Sequence, residues 1–187
     1  MSIDCTNVKL GSIAAVQSGV YMKNEPLGDV VCLQLSDLLS DAPEKIAMKV
    51  ARTKRIDNYL LQKGDLLFAG KGTTYYCGVF DLDVPAVAST TLYSIRLQTD
   101  AVSPAYLCWY LNHPNVVAAI KKEQAGSGTP LIRKPTLENL QIVVPAAQLQ
   151  SKIVELSILQ KREAYLHKAI AEKQTMIINY LLFNKIK

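Results

Sequence analysis

Between residues 45 and 55 every charged side chain is positive. Lys45, Lys49, Arg52, Lys54 and Arg55 stand there without an Asp or Glu among them. Ammonium and guanidinium groups at this density either coat a solvated face or meet the phosphates of a nucleic acid. The solvated face is the plainer reading, and the missing acids make the phosphate-facing edge the sharper one. A second concentration of chemistry is the stretch Gly70-Lys71-Gly72-Thr73-Thr74-Tyr75-Tyr76-Cys77-Gly78. It lacks the Gly-x-x-x-x-Gly-Lys-Ser/Thr order of a nucleotide-binding loop. Its ammonium, hydroxyls and flat phenol rings suit a DNA backbone or base edge instead. Nothing comparable points to catalysis. The two histidines, His113 and His167, lie far apart, and no Asp/Glu-x-Lys nuclease strand, methyltransferase cofactor loop or Asn-Pro-Pro-aromatic motif occurs. The expectation is a binding protein that uses no metal and no cofactor.

The elements that hold these groups are mixed. Residues 8–19 contain a short helix or a strand. Gly28 releases a strand, Val30-Val31-Cys32-Leu33-Gln34, and a loop or single turn follows at 36–39. A glycine turn at Gly64 precedes a buried strand, Leu66-Leu67-Phe68-Ala69. Residues 88–98 alternate, with Thr91, Tyr93, Ile95 and Leu97 on one face, which predicts one half-buried strand. Ser103-Pro104 opens a helix, Ser as cap and Pro at the first position. Its cluster Tyr106-Leu107-Cys108-Trp109-Tyr110-Leu111 is assigned to the core. Asn115 caps a second helix through Glu123, and a loop, 124–130, leads into Leu131-Ile132-Arg133-Lys134. One helical turn at 136–139 and a strand at 140–144 complete the body. With no regular βαβ rhythm, the fold class is α+β.

Residues 147–182 contain neither Gly nor Pro and read as one helix, roughly 54 Å long at ~1.5 Å per residue. Leu149, Ile153 and Leu156 form one apolar seam. A second runs through Leu159, Leu166, Ile170, Ile177 and Tyr180, interrupted inwardly by Glu163 and Lys173. The three-residue step from Leu156 to Leu159 resembles a stammer in a heptad pattern. A body spanning 1–145 is too small to cover this edge, so the helix of 146–187 is expected to pair with a second copy. Folding back over its own domain is the alternative. Net charge is +5, of which residues 141–187 carry +4. Cys5, Cys32, Cys77 and Cys108 form no CxxC pair, and no secretory segment follows Met1. Reduced cysteines in a cytoplasmic protein are expected, and no apolar run is long enough to span a bilayer.

In order along the chain, several short motifs add up to a resemblance. Lys9-Leu10-Gly11 and Gln17-Ser18-Gly19 come first, then Lys63-Gly64-Asp65-Leu66-Leu67-Phe68, Pro104-Ala105-Tyr106-Leu107 and Tyr110-Leu111-Asn112. Most specific is Gly126-Ser127-Gly128-Thr129-Pro130 through Leu137-Glu138-Asn139-Leu140, Ile142 and Pro145, then Gln148 and the long helix. This set resembles the specificity subunit of type I DNA restriction-modification enzymes. The usual member carries two recognition domains and two conserved helices, whereas this sequence has one of each. It also has Pro145-Ala146-Ala147 where many relatives have consecutive prolines.

The resemblance implies a non-catalytic subunit that chooses the DNA sequence for separate methyltransferase and restriction subunits. It also implies that two such halves pair through antiparallel helices, as a homodimer binding double-stranded DNA. On that reading Lys45, Lys49, Arg52, Lys54 and Arg55 contact phosphates, and Gln34, Lys71, Thr73, Thr74, Tyr75 and Tyr76 lie near base edges. Ser127 and Thr129, with Arg133 and Lys134, touch either. The target is two inverted half-sites, within a span of roughly 16 base pairs. A coiled-coil interaction protein without specific DNA binding, and the recognition part of a fused restriction enzyme, are the other readings.

Overall fold

In chain order the elements are β1 (Cys5–Lys9), α1 (Leu10–Ile13), β2 (Ala14–Ser18), β3 (Val30–Leu33), α2 (Leu35–Leu38), α3 (Pro43–Ile46), β4 (Met48–Val50), β5 (Leu66–Ala69), β6 (Cys77–Val79), β7 (Ala86–Ala88) and β8 (Leu92–Leu97). Then follow α4 (Pro104–Leu111), α5 (Pro114–Glu123), α6 (Lys134–Glu138), β9 (Gln141–Pro145) and α7 (Ala147–Lys185). The computed structural model describes residues 5–40, 42–72, 74–123 and 131–185. The chain divides into two units, Met1–Gln150 and Ser151–Lys187. The class is α+β, as the irregular mixture of elements predicts.

Three sheets build the first unit. β1 pairs with β9; β2, β8, β5 and β6 follow one another antiparallel; and β4, β3 and β7 form the third, with β3 and β7 parallel. The apolar runs explain themselves by burial on both faces. In β3, Val31 and Leu33 enter one core cluster with Leu67, Phe80 and Leu92, while Val30 and Cys32 enter another with Val50 and Ile56. A strand covered on both sides has no polar face to alternate with, so it reads as a continuous run. β5 is buried at all four positions for the same reason.

Residues 88–98 are not one strand. β7 ends at Ala88, the chain turns at Ser89-Thr90-Thr91, and β8 begins at Leu92 in another sheet. The threonines at the turn are good strand formers and conceal the break. Ser103 caps α4 as expected, its Oγ accepting from Tyr106 N at 3.2 Å. The aromatic cluster is partly core: Tyr106, Leu107 and Leu111 are buried, and the Tyr106 and Tyr110 hydroxyls donate to the β9 carbonyls of Val143 and Gln141. The second helix starts two residues earlier than expected, at Pro114. His113, not Asn115, acts at its start, His113 Nδ1 accepting from Asn115 N at 3.3 Å.

Two polar side chains bond main-chain atoms far from them in sequence. Gln150 is buried in the first turn of α7, accepting from Ser103 N at 2.9 Å and donating to the Ala101 and Pro145 carbonyls at 2.7 and 2.9 Å. Asn112, at the end of α4, behaves like a missing strand beside β6. Its Oδ1 accepts from Cys77 N at 2.9 Å, and its Nδ2 donates to Cys77 O at 2.7 Å and Cys108 O at 2.9 Å. Replacing Asn112 by Ala leaves the buried Cys77 peptide without these partners and is expected to destabilise the fold by about 2 kcal/mol. Urea unfolding of the two proteins measures it, and equal midpoints would show that Asn112 holds nothing.

Candidate nucleic-acid interface

The turn Ser89-Thr90-Thr91 is where distant segments are stitched together. Val20 N donates to Ala88 O at 2.9 Å, Gly19 N to Leu92 O at 3.0 Å, Ser89 N to Leu33 O at 2.9 Å and Gly70 N to Thr91 O at 3.3 Å. The ends of β2, β3 and β5 therefore meet at one place. A further segment joins through Ile132 N, which donates to Gly70 O at 2.8 Å, and through an antiparallel bridge between Lys71 and Leu131. The approach is so close at Gly19 that any Cβ would overlap the Ser89 carbonyl oxygen. Only glycine lets the two strands come together here.

Beside this turn lies a cleft of about 370 Å³. Val20, Met22, Cys32 and Met48 supply its apolar lining, and Tyr21, Lys23, Asn24, Gln34, Thr90 and Thr91 its polar lining. Burial, reinforced by the Asp37 carboxylate, pushes the Cys32 thiol up to about 11. It is therefore an uncharged part of the lining and not a nucleophile. Tyr21 is 80% exposed, and Lys23 and Asn24 are exposed with no protein hydrogen bond or ion pair among the described residues. Gln34 has a second duty. Its side chain accepts from the Asp37 backbone N–H, while Asp37 Oδ2 accepts from Gln34 N at 2.8 Å, a capping box on α2.

The residues expected to face DNA are distributed unevenly. Gln34 lines the cleft, and exposed Lys71 is held next to the stitched turn. Thr74 is exposed, and the half-buried Tyr75 ring lies 5.4 Å below the Lys121 ammonium. Tyr76 instead packs against the core beside β6, and burial, with the neighbouring Cys108 and Cys77, raises its hydroxyl pKa. Thr73, Ser127 and Thr129 lie outside the described residues.

The basic run is divided by its local structure. Lys45 lies in the last turn of α3 and Lys49 is the middle residue of edge strand β4. Successive residues of a strand take opposite faces, so Lys49 faces away from Met48 and its cleft. Arg52 is partnered, its Nε 2.9 Å from Asp57 Oδ1 and its backbone N donating to Asp29 Oδ1 at 3.0 Å. Lys54 and Arg55 are exposed in the turn that follows. Arg133 caps the start of α6, where Lys134 pairs with Glu138 at 3.5 Å. Tyr21, Lys23, Asn24, Thr90 and Thr91 were not legible as site residues. The available signal was the alternation Val20-Tyr21-Met22-Lys23 directly after a glycine, which places apolar and polar groups on opposite sides of an extended segment.

In the helix, Leu149 and Ile153 are half-buried, while Leu156, Leu159, Leu166, Ile170, Ile177 and Tyr180 are exposed. Leu159, Leu166 and Ile170 line one shallow apolar groove with Arg162, Glu163 and His167 at its sides. Among the described residues no group of three or more His, Cys, Asp or Glu side chains is placed to hold a metal ion. No described helix is long and apolar enough to cross a membrane.

Residues 3–174 match the family model of the type I restriction modification DNA specificity domain. The chain belongs to that family. It is 24% identical to the type I restriction enzyme MjaVIII specificity subunit of Methanocaldococcus jannaschii, over 96% of this chain and 46% of that protein. The chain thus spans about half the length of the curated relative it matches. Among solved structures, the HsdS subunit from Thermoanaerobacter tengcongensis superposes with a TM-score of 0.63 at 19% identity, covering 88% of this chain and 39% of that one. A chain from a study of complex assembly and conformational transition in the type I R-M system gives 0.66 at 20% identity, over 90% and 41%. The type I restriction-modification S subunit from M. genitalium gives 0.56 at 15%, over 92% and 43%. These likenesses establish the specificity-domain fold.

Proposed function

We propose that this specificity-domain chain binds double-stranded DNA at a defined sequence, without catalysis of its own, and directs methyltransferase and restriction subunits to that site. The observation that carries the reading is the stitched turn of residues 89–91 with its cleft, in a chain whose family model covers residues 3–174. Hydroxyl, amide and ammonium groups carried on a backbone fixed at one edge of two sheets suit base reading. Residues 1–145 form the recognition body, and residues 146–187 the helix that pairs antiparallel with a second copy and docks methyltransferase subunits. The work takes place in the cytoplasm.

Among the described residues Lys23, Lys45, Lys49, Lys54 and Arg55 have no ion pair and can meet phosphates, and Lys71 can approach a base edge beside the turn, whereas Arg52 and Lys134 must first give up Asp57 and Glu138. Changing Lys54 to Gln is expected to weaken binding to every duplex alike and to flatten the plot of log affinity against log salt by about 0.9. Titration of defined and scrambled duplexes at several salt concentrations measures this. If neutralising all six cations leaves affinity unchanged, the chain is an interaction protein and the basic residues are solvated surface.

A further inference from the structure

The chemistry of the cleft beside the 89–91 turn is selective in what it leaves out. Side chains that pair two-pronged with guanine are Arg and Lys, those that accept from cytosine are Asp and Glu, and those that pair two-pronged with adenine are Asn and Gln. The cleft lining contains no Arg, Asp or Glu, and its one cation is Lys23, an exposed side chain with no ion pair among the described residues. It offers two amides, Asn24 and Gln34, above an apolar lining that includes Met22 and Met48.

Of the two amides, Gln34 takes part in the cap of α2, where one lone pair of its oxygen faces the Asp37 backbone N–H and its side chain is restrained. Asn24 is exposed and has no hydrogen-bond partner among the described residues, so both its donor and its acceptor are available. The segment that carries it is nevertheless fixed. One residue beyond, Glu25 N donates to Lys49 O at 2.8 Å, and Gly28 N donates back to Glu25 O at 2.8 Å. An unpartnered amide on an anchored segment is pre-arranged for a ligand, since little backbone order is lost on binding. Methionine side chains give the thymine methyl group an apolar surface.

We infer that Asn24 is a specificity-determining residue, pairing through its amide with an adenine in the major groove while the methionine-lined cleft beside it receives the methyl group of a thymine. The inference rests on the proposed DNA binding, and deepens it by naming the base pair read at this place as A·T. Lys23, next to Asn24, meets a phosphate of the same half-site and carries no sequence information.

The test is selection from random duplex DNA with the full chain, followed by titration of single-position variants of the selected site. Wild type is expected to require an A·T pair at one position of the half-site, preferring it at least tenfold over the other pairs. Asn24→Ala should abolish that preference and leave the other positions as they were. Asn24→Asp, which only accepts, should move the preference at the same position toward cytosine. Lys23→Gln should weaken all duplexes equally. Because Asn24 has no hydrogen-bond partner among the described residues, both variants should keep the wild-type melting curve. An Asn24→Ala protein that keeps every preference, or one that loses preference at all positions together while still folded, overturns the assignment. A selected site with G·C pairs only does the same. If wild type itself selects no sequence, the DNA-binding reading fails first, and the two failures are distinct.

Discussion

An Asp65→Ala chain is expected to lose about 3 kcal/mol of stability and to melt roughly 10 °C lower. Asp65 is 3% exposed at its side chain and receives Arg96 through two bonds, Nε to Oδ1 at 2.8 Å and Nη2 to Oδ2 at 2.6 Å. It also accepts from Gln62 N at 2.8 Å, closing the turn in which Gly64 takes φ +90°. Arg96 in turn donates to Leu60 O at 3.0 Å. Removing the carboxylate leaves the guanidinium and the Gln62 amide facing an apolar hole. The loss falls at the low end of the range for a broken buried pair because Arg96 is 43% exposed and is rehydrated. Thermal and urea unfolding check the value, with Asp65→Asn expected to fall between wild type and alanine. A melting point unchanged in the alanine variant would show that the pair contributes nothing to stability. DNA contact plays no part in this prediction, although Lys63-Gly64-Asp65 is among the motifs that carry the family resemblance.

What the sequence made legible, and what it concealed, separates along physical lines. The strands at 30–33 and 66–69 announce themselves because burial on both faces demands continuous apolar residues. The cap at Ser103 and the long helix depend on neighbours within four residues, and local rules find them. The cleft is different. Its lining comes from residues 20–24, 32, 34, 48 and 89–91, which become adjacent only through backbone bonds between strand ends. No spacing rule connects Asn24 to Thr90. The same holds for Asn112 and Gln150, polar residues whose partners are main-chain atoms 35 and 47 positions away. Cation counting leaves the arrangement of the run 45–55 open between a solvated face and a phosphate-facing edge. Strand pleating turns Lys49 away from the cleft, and Asp57 takes up Arg52.

The largest functional effect is expected from the helix. Replacing Leu166 and Ile170 together by Asp should raise the dissociation constant of the proposed homodimer by about four decades. Both side chains are exposed in the single chain and line the apolar groove that begins at Leu159. Covering such a residue contributes about 1.5 kcal/mol or more, and a twofold contact contains each position twice. The two changes therefore remove about 6 kcal/mol, which is the stated change in affinity. Sedimentation across a wide concentration range reads it directly. A wild-type chain that stays monomeric at the highest concentration, or a double variant that dimerises equally well, removes the pairing model. The DNA target follows from the same symmetry. Two identical recognition bodies related by a twofold axis must read the same half-site in inverted orientation, with unread bases between. Methylation maps made with the co-purified methyltransferase subunits should show such a split repeat for wild type and lose it for the double variant. One contiguous asymmetric site, methylated equally by both proteins, would leave the recognition body reading DNA alone and the helix serving some other contact.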